Sequence, residues 1–161
     1  MKTPAILLAG AAVALTACDS MYAPAPPPGA IVPAATATIT TATKPPFGTY
    51  LVDGAGRALY ILEGTRGASA ERCSGRCLAV WPPLHVGAPP TAAAGIDPAR
   101  LSTIMAHGHT HVTYGGWTLF YYHRDRAPGD TTGQHVKDAW GTWHLISPSG
   151  EPIRPVSSRV Y

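Results

Sequence analysis

The run His107-Gly108-His109-Thr110-His111 is the stretch of this chain best suited to chemistry. Side chains two apart on a strand share a face. His109 and His111 are therefore expected to project together, with His107 joining them if the strand begins that early. Imidazole suits Cu and Zn, and histidines two apart on a strand are a chelating arrangement. His123 and His144 are further candidate ligands. The competing expectation is packing. An aromatic run, Trp117 to Tyr122, follows one turn later, and its rings can cover the imidazoles. Two more sets of side chains invite attention. Trp117, Tyr121, Tyr122 and Trp140, where exposed, would make a binding surface for a sugar, peptide or quinone, and otherwise belong to a core. Asp53, Asp125 and Asp130 are potential acids or bases, but each lies in a turn or beside glycine. There aspartate commonly accepts hydrogen bonds from local backbone N–H groups.

The elements that must position these residues read as hairpins. Val112-Thr-Tyr114 and Trp117-Thr-Leu119 flank Gly115-Gly116, and a Gly-Gly pair adopts the positive φ angles of a two-residue hairpin turn. The register then sets Tyr114 opposite Trp117, Thr113 opposite Thr118 and Val112 opposite Leu119. Continued outward, it sets His111 opposite Phe120 and His109 opposite Tyr122. An earlier stretch repeats the plan: Tyr50 to Val52, a turn at Asp53-Gly-Ala-Gly56, and a return from Arg57 to Leu62. The two are read as diverged copies of one unit, at about 48–83 and 107–148. Between them, Asp97-Pro98 reads as a helix N-cap with proline at the first helical position. Ser102 to Met105 reads as a strand leading to His107, and Trp140 to Ile146 as the last strand.

Composition agrees. Charged residues are 13% of the chain, and glycine and proline number 17 each, which favours short strands and tight turns over helical bundles. The formal charge of +3 comes with no basic stripe, so nucleic acid is not an expected partner. There is no G-x-S-x-G elbow, phosphate-cradling loop or H-E-x-x-H helix.

The first residues are an address. Lys2 precedes an apolar run from Pro4 to Leu15, too short to span a bilayer. Leu15-Thr-Ala-Cys18 then resembles a bacterial lipobox, which implies a signal peptide over 1–17 and a lipid-modified Cys18. By resemblance to lipoprotein sorting, Asp19 favours the inner membrane. Residues 18–46, rich in Ala, Pro and Thr, have little to bury and read as a disordered tether. An exported chain meets oxidising conditions. With Cys18 lipidated, Cys73 and Cys77 are expected to form a disulfide that pins a turn and presents Trp81 to the core; a thiol redox or metal role is the alternative.

The pieces together resemble a family of bacterial secreted-repeat lipoproteins of unknown function described by a Y-x-(F/W/Y)-x-x-D motif. The matching residues are Tyr50-Leu-Val-Asp53, Gly56-Arg-Ala-Leu-Tyr60, Cys73-x-x-x-Cys77, Trp81-Pro-Pro83, Val112-Thr-Tyr114-x-Gly116, Asp125-x-x-Pro128-Gly-Asp130, Gly133, Trp143 and Ser147-Pro148-x-Gly150. They run through nearly the whole of 47–150. The motif itself is altered: Phe120-x-Tyr122-x-x-Asp125 has Phe for Tyr, and Tyr60-x-Leu62-x-x-Thr65 lacks the second aromatic and the Asp. The resemblance implies a repeated β unit in the cell envelope and supplies no reaction.

The expectation is thus a mainly β single domain of two hairpin units related by a pseudo-twofold, with short helical turns and an exposed or loosely docked tail, 151–161. It is expected to be a non-enzymatic binding or interaction module, lipid-anchored and facing the periplasm, with an envelope protein or a small ligand as partner. The alternative is a Cu or Zn accessory protein using His107, His109 and His111, and a hydrolase with an unrecognised site comes third.

Overall fold

The computed structural model describes residues 36–67 and 72–155. The signal segment, the lipobox and most of the tether lie outside them. The described residues fall within one unit, Pro33–Tyr161, and it is mainly β. The strands are β1 (Thr38–Lys44), β2 (Gly48–Asp53), β3 (Tyr60–Leu62), β4 (Thr91–Ala92), β5 (Leu101–Ala106), β6 (His109–Tyr114), β7 (Trp117–Thr118), β8 (Lys137–Asp138) and β9 (Gly141–Leu145). A short helix α1 (Arg76–Val80) and a 3-10 turn at Pro98–Arg100 interrupt them. The strands form three small sheets, ordered β2-β1-β4, β3-β9-β8 and β5-β6-β7.

The β1 strand corrects the reading of the tether, which extended to Pro46. Thr and Ile are good strand formers, and Ile39 to Lys44 pair in register with β2 while Thr38 and Ile39 pair with β4. Ile39 is fully buried. Hydroxyl pairs Thr38–Thr91 and Thr43–Thr49, each at 3.0 Å, tie β1 to both neighbours. The folded domain therefore starts by Thr38.

Each repeat has the same order: a hairpin (β1-β2, then β5-β6), a glycine turn, and a short return. The returns do not stay with their own repeat. Leu59 still donates to Leu51, but β3 then pairs with β9 of the second repeat. In the second repeat the register expected at the turn is present, Tyr114 with Trp117 and Thr113 with Thr118. Beyond Leu119 it changes. Phe120 exchanges two backbone hydrogen bonds with Tyr60 at 2.8 and 2.9 Å, and Tyr121 and His123 donate to Pro82 and Val80 of the first repeat. The expected facing of His111 with Phe120, and of His109 with Tyr122, is thus not formed. Equivalent bonds close the exchange: Leu51 N–H to Ile146 O in one direction, Val112 N–H to Leu84 O in the other, both 2.9 Å. The repeats are intertwined about the Tyr60–Phe120 pair, so neither half can bury its core alone.

The core has an aliphatic part, including Ile39, Leu51, Leu59, Ile61, Val112, Leu119 and Ile146, and an aromatic part. In the latter Trp81 stacks on Trp143 with ring centroids 4.0 Å apart and on Tyr122 at 4.3 Å, with Tyr60 edge-on at 5.6 Å. Such ring pairs add about 0.5–1.5 kcal/mol each beyond area burial. The Cys73–Cys77 disulfide forms as expected, at the start of α1, and Trp81 just after it is fully buried. The 3-10 turn also follows the sequence reading, with the Asp97 carboxylate accepting from Ala99 N–H. The first part of the tail is docked: Ile153 N–H donates to Leu145 O at 2.8 Å.

Candidate functional site

The histidine run is split by a turn. β5 and β6 pair from Leu101–Tyr114 outward to Ala106–His109, and the chain reverses at His107 (φ 51°) and Gly108 (φ 78°). Two successive positive φ angles are what a two-residue hairpin turn of this hand requires. His107 therefore sits in the turn and not on the strand face with His109 and His111, as the sequence reading allowed. The first repeat supplies a different neighbour. His85 forms a bridge opposite His111, its ring centroid 4.7 Å from that of His111 and 4.8 Å from that of His109; His107 lies 6.2 Å from His111. His111 is buried, with Nε2 3.0 Å from Ala106 O. That contact assigns the proton to Nε2, and Nδ1 has no hydrogen-bond partner among the described residues. Burial first, and neighbouring imidazoles second, hold His85 and His111 below the usual histidine range. Among the described residues no three His, Cys, Asp or Glu side chains are arranged to hold a metal ion. His123 packs on Tyr122 instead, and His144 belongs to another face.

The aromatic surface is likewise divided. Trp117 and Tyr122 are buried, and the Trp117 indole donates to Gly150 O at 3.1 Å. Tyr121 lies under the Arg57 guanidinium, 4.0 Å from its ring centroid. Trp140 is half-buried against the aromatic core. These four do not make one exposed platform.

The acids are committed to structure. Asp53 accepts from Ala55 and Arg57 N–H, from the Arg57 side chain and from Tyr121 O–H, all at 2.7–2.9 Å. Desolvation alone would raise its pKa, but these donors outweigh it and hold the carboxyl below the usual range. Asp125 accepts from Tyr60 O–H at 2.7 Å and from the Thr132 N–H and hydroxyl. Burial and the Asp125 carboxylate keep the Tyr60 phenol protonated well beyond its ordinary range. Asp130 caps Arg126 and Ala127 N–H. Asp138 accepts from the Trp81 indole at 2.8 Å and from Trp140 and Gly141 N–H.

A site that the sequence reading missed lies on the outer face of the β3-β9-β8 sheet. Alternation along β9 sends Trp143 and Leu145 into the core and Thr142 and His144 to the opposite face. The register adds Glu63 beside Thr142 from one side and Lys137 from the other. The docked tail contributes Arg154 and Pro155. These residues and His135 line a cavity of about 360 Å³. Arg154 Nη2 binds Glu63 Oε1 at 2.8 Å. His144 is 4% exposed, and neither ring nitrogen has a hydrogen-bond partner among the described residues; the nearest acidic atom, Glu63 Oε2, is 3.5 Å from Nε2. Its pKa is lowered, by burial first, with Glu63 opposing and His135 reinforcing. His135 adopts φ 61°, uncommon for a residue with a side chain, and its Nε2 is 3.1 Å from Ile153 O.

Comparison with known proteins fits the β6–β9 half of this picture. Residues 103–147 match the family described as a secreted repeat of unknown function. The matched repeat covers the hairpin with the histidines, the motif residues Phe120, Tyr122 and Asp125, and β8-β9 with His144. The resemblance read from the sequence is thereby supported over this stretch, and the first repeat shows the same order of elements. A secreted repeat implies an extracellular or envelope location. No helix among the described residues is long and apolar enough to cross a membrane. No curated protein and no solved structure matches the chain.

Proposed function

We propose that this chain is a cell-envelope lipoprotein, tethered through Cys18 and facing the periplasm, that works as a binding module and not as an enzyme. One observation carries the choice of binding over catalysis. Asp53, Asp97, Asp125, Asp130 and Asp138 each accept at least two donors from neighbouring backbone or side chains. A carboxylate saturated in this way is a structural brace and a poor proton carrier. The anchor is supported by the lipobox at Leu15 to Cys18 and by the tether that follows. Detergent phase partition of wild type and Cys18→Ser in a bacterial host tests it. Wild type is expected in the membrane pellet and detergent phase, and the variant in the soluble periplasmic fraction. A variant that stays with the membrane removes the lipid anchor.

A second reading has an observation of its own. His111 has Nε2 fixed by a backbone carbonyl and an Nδ1 with no hydrogen-bond partner among the described residues, the way a metal-binding histidine is oriented; His85 lies against it, and His109 lies against His85. Cu or Zn held here would need the exposed His85 and His109 rings to turn toward His111. Elemental analysis of protein purified without chelator or affinity tag decides: metal present in wild type and lost in His85→Ala/His109→Ala supports it, and metal-free protein that takes up neither ion ends it.

A further inference from the structure

We propose that the cavity lined by Glu63, His135, Lys137, His144 and Arg154 is a binding site for a small oxyanion, a carboxylate or a tetrahedral anion such as phosphate. This deepens the binding-module reading and rests on it. The cavity has the size of a small-ligand pocket. Its single carboxylate, Glu63, is already neutralised by Arg154 at 2.8 Å. Lys137 has no ion-pair partner among the described residues, so the lining carries a net positive charge. An ammonium is a compact donor well suited to phosphate or carboxylate. The decisive feature is His144. Its buried imidazole makes no hydrogen bond at either nitrogen among the described residues, and only Glu63 Oε2 approaches, 3.5 Å from Nε2. Such a ring is costly, and an oxyanion lying against it offers an acceptor for its N–H once the ring turns toward the cavity. Thr142 adds a hydroxyl from the same strand face.

A metal ion is the less suitable guest. Two of the side chains at the cavity are permanent cations, and the carboxylate that would attract a metal is spent on one of them. The docked tail also matters, because Arg154 and Pro155 form one wall. Folding the tail against β9 thus both completes the site and neutralises Glu63.

The groups facing His144 fix how pH acts. Glu63 comes from the end of β3, His135 and Lys137 from the β8 side, and Arg154 from the tail. At neutral pH burial keeps His144 uncharged. Below its lowered pKa it becomes a third cation at the cavity, beside Lys137 and Arg154. Anion binding is therefore expected to tighten as pH falls, and by linkage a bound anion raises the pKa of His144.

The test uses the full-length protein in detergent micelles, with histidine ring resonances followed by NMR at constant ionic strength in chloride. Sulfate, whose charge is constant from pH 5 to 8, and acetate are the two probes. Saturable shifts of the His144 ring are expected, at least fivefold tighter at pH 5 than at pH 7.5 and at least fivefold weaker in Lys137→Ala. Lys137 is exposed, so this variant keeps its fold. Preference for sulfate assigns a tetrahedral anion and preference for acetate a carboxylate. Shifts that rise linearly with both salts, or that are equal in wild type and Lys137→Ala, overturn the proposal. Zn causing the saturable shift in place of either anion also overturns it. Membrane partition is measured independently, so a failed anion site leaves the anchor test standing.

Discussion

The two repeats are built alike and finished differently. The operation that exchanges them takes Tyr60 to Phe120, Thr65 to Asp125 and Trp81 to Trp143. Tyr60 reaches across the exchange and bonds Asp125 at 2.7 Å. The reciprocal pair is Phe120 and Thr65, and it has lost both halves: Phe120 has no hydroxyl, and Thr65 turns its own to Leu62 O at 2.6 Å. The tryptophans differ in the same sense. The Trp81 indole donates to Asp138, whereas the Trp143 indole N–H is buried with no hydrogen-bond partner among the described residues. The polar joints that hold the intertwined repeats together are thus concentrated on one side of the pseudo-twofold. A doubled architecture needs each joint only once if the core around it is shared. Altered motif residues in this chain therefore mark where the second joint became dispensable, and they need not mark a lost reaction.

The tryptophan pair gives the largest test of this asymmetry. Trp81→Phe opens a cavity and leaves Asp138 without its indole donor, so a loss of about 3 kcal/mol is expected. Trp143→Phe opens a similar cavity but removes an unpartnered N–H, and about 1 kcal/mol is expected. Urea unfolding of the two variants measures the difference. Equal losses would mean that the two rings are equivalent and the indole bond immaterial.

Tyr60→Phe comes next. It removes the donor to Asp125 and the acceptor for Gly133 N–H at 3.3 Å. Hydrogen bonds to charged groups contribute about 1.5–3 kcal/mol, and a loss of about 2 kcal/mol is expected. Phe120→Tyr, the opposite swap at the equivalent position, adds a hydroxyl where no carboxylate waits. It should destabilise as well, by about 1 kcal/mol or more. If Phe120→Tyr stabilises the protein in urea unfolding, the second joint is still intact and the asymmetry is only apparent.

How far the sequence revealed this molecule depends on how local the information was. The turn at Gly115-Gly116 and its first pairs were legible, because a two-residue turn dictates the register next to it. Phe120 was beyond reach, because its partner Tyr60 belongs to the other repeat and strand exchange leaves no local mark. The same holds for the sites. His109 and His111 are visible as a pair, while His85 stands alone between prolines and joins them only through the exchange. Glu63, His135, His144 and Arg154 are scattered over the chain and share no spacing; the alternation of Thr142-Trp143-His144-Leu145 is the one available signal, and the sequence marks His144 only as a further ligand for the histidine run. β1 was hidden by composition, since Ala and Thr there look like the rest of the tether until Ile39 is given a core to enter.

The two hairpin turns offer the smallest and most specific test. The second repeat turns on glycine: Gly115 has φ 57°, and an added Cβ would meet only ordinary contacts, none closer than 3.5 Å. Gly115→Ala should therefore cost only backbone strain, about 1 kcal/mol, and that cost has no reason to change with pH. The first repeat turns on Asp53, whose carboxylate gathers the Ala55 and Arg57 N–H groups. Its folded pKa is lowered. The stability it contributes is present above the unfolded value of about 3.9, and is lost as pH falls through the lower folded value. Asp53→Asn should thus be clearly less stable than wild type at pH 7, with the gap narrowing below about pH 4. Acid titration of the unfolding midpoint, for wild type and both variants, separates the turns. A constant gap for Asp53→Asn would show that the charge of Asp53 adds nothing beyond its shape, and the two turns would then differ only in which atoms satisfy the backbone.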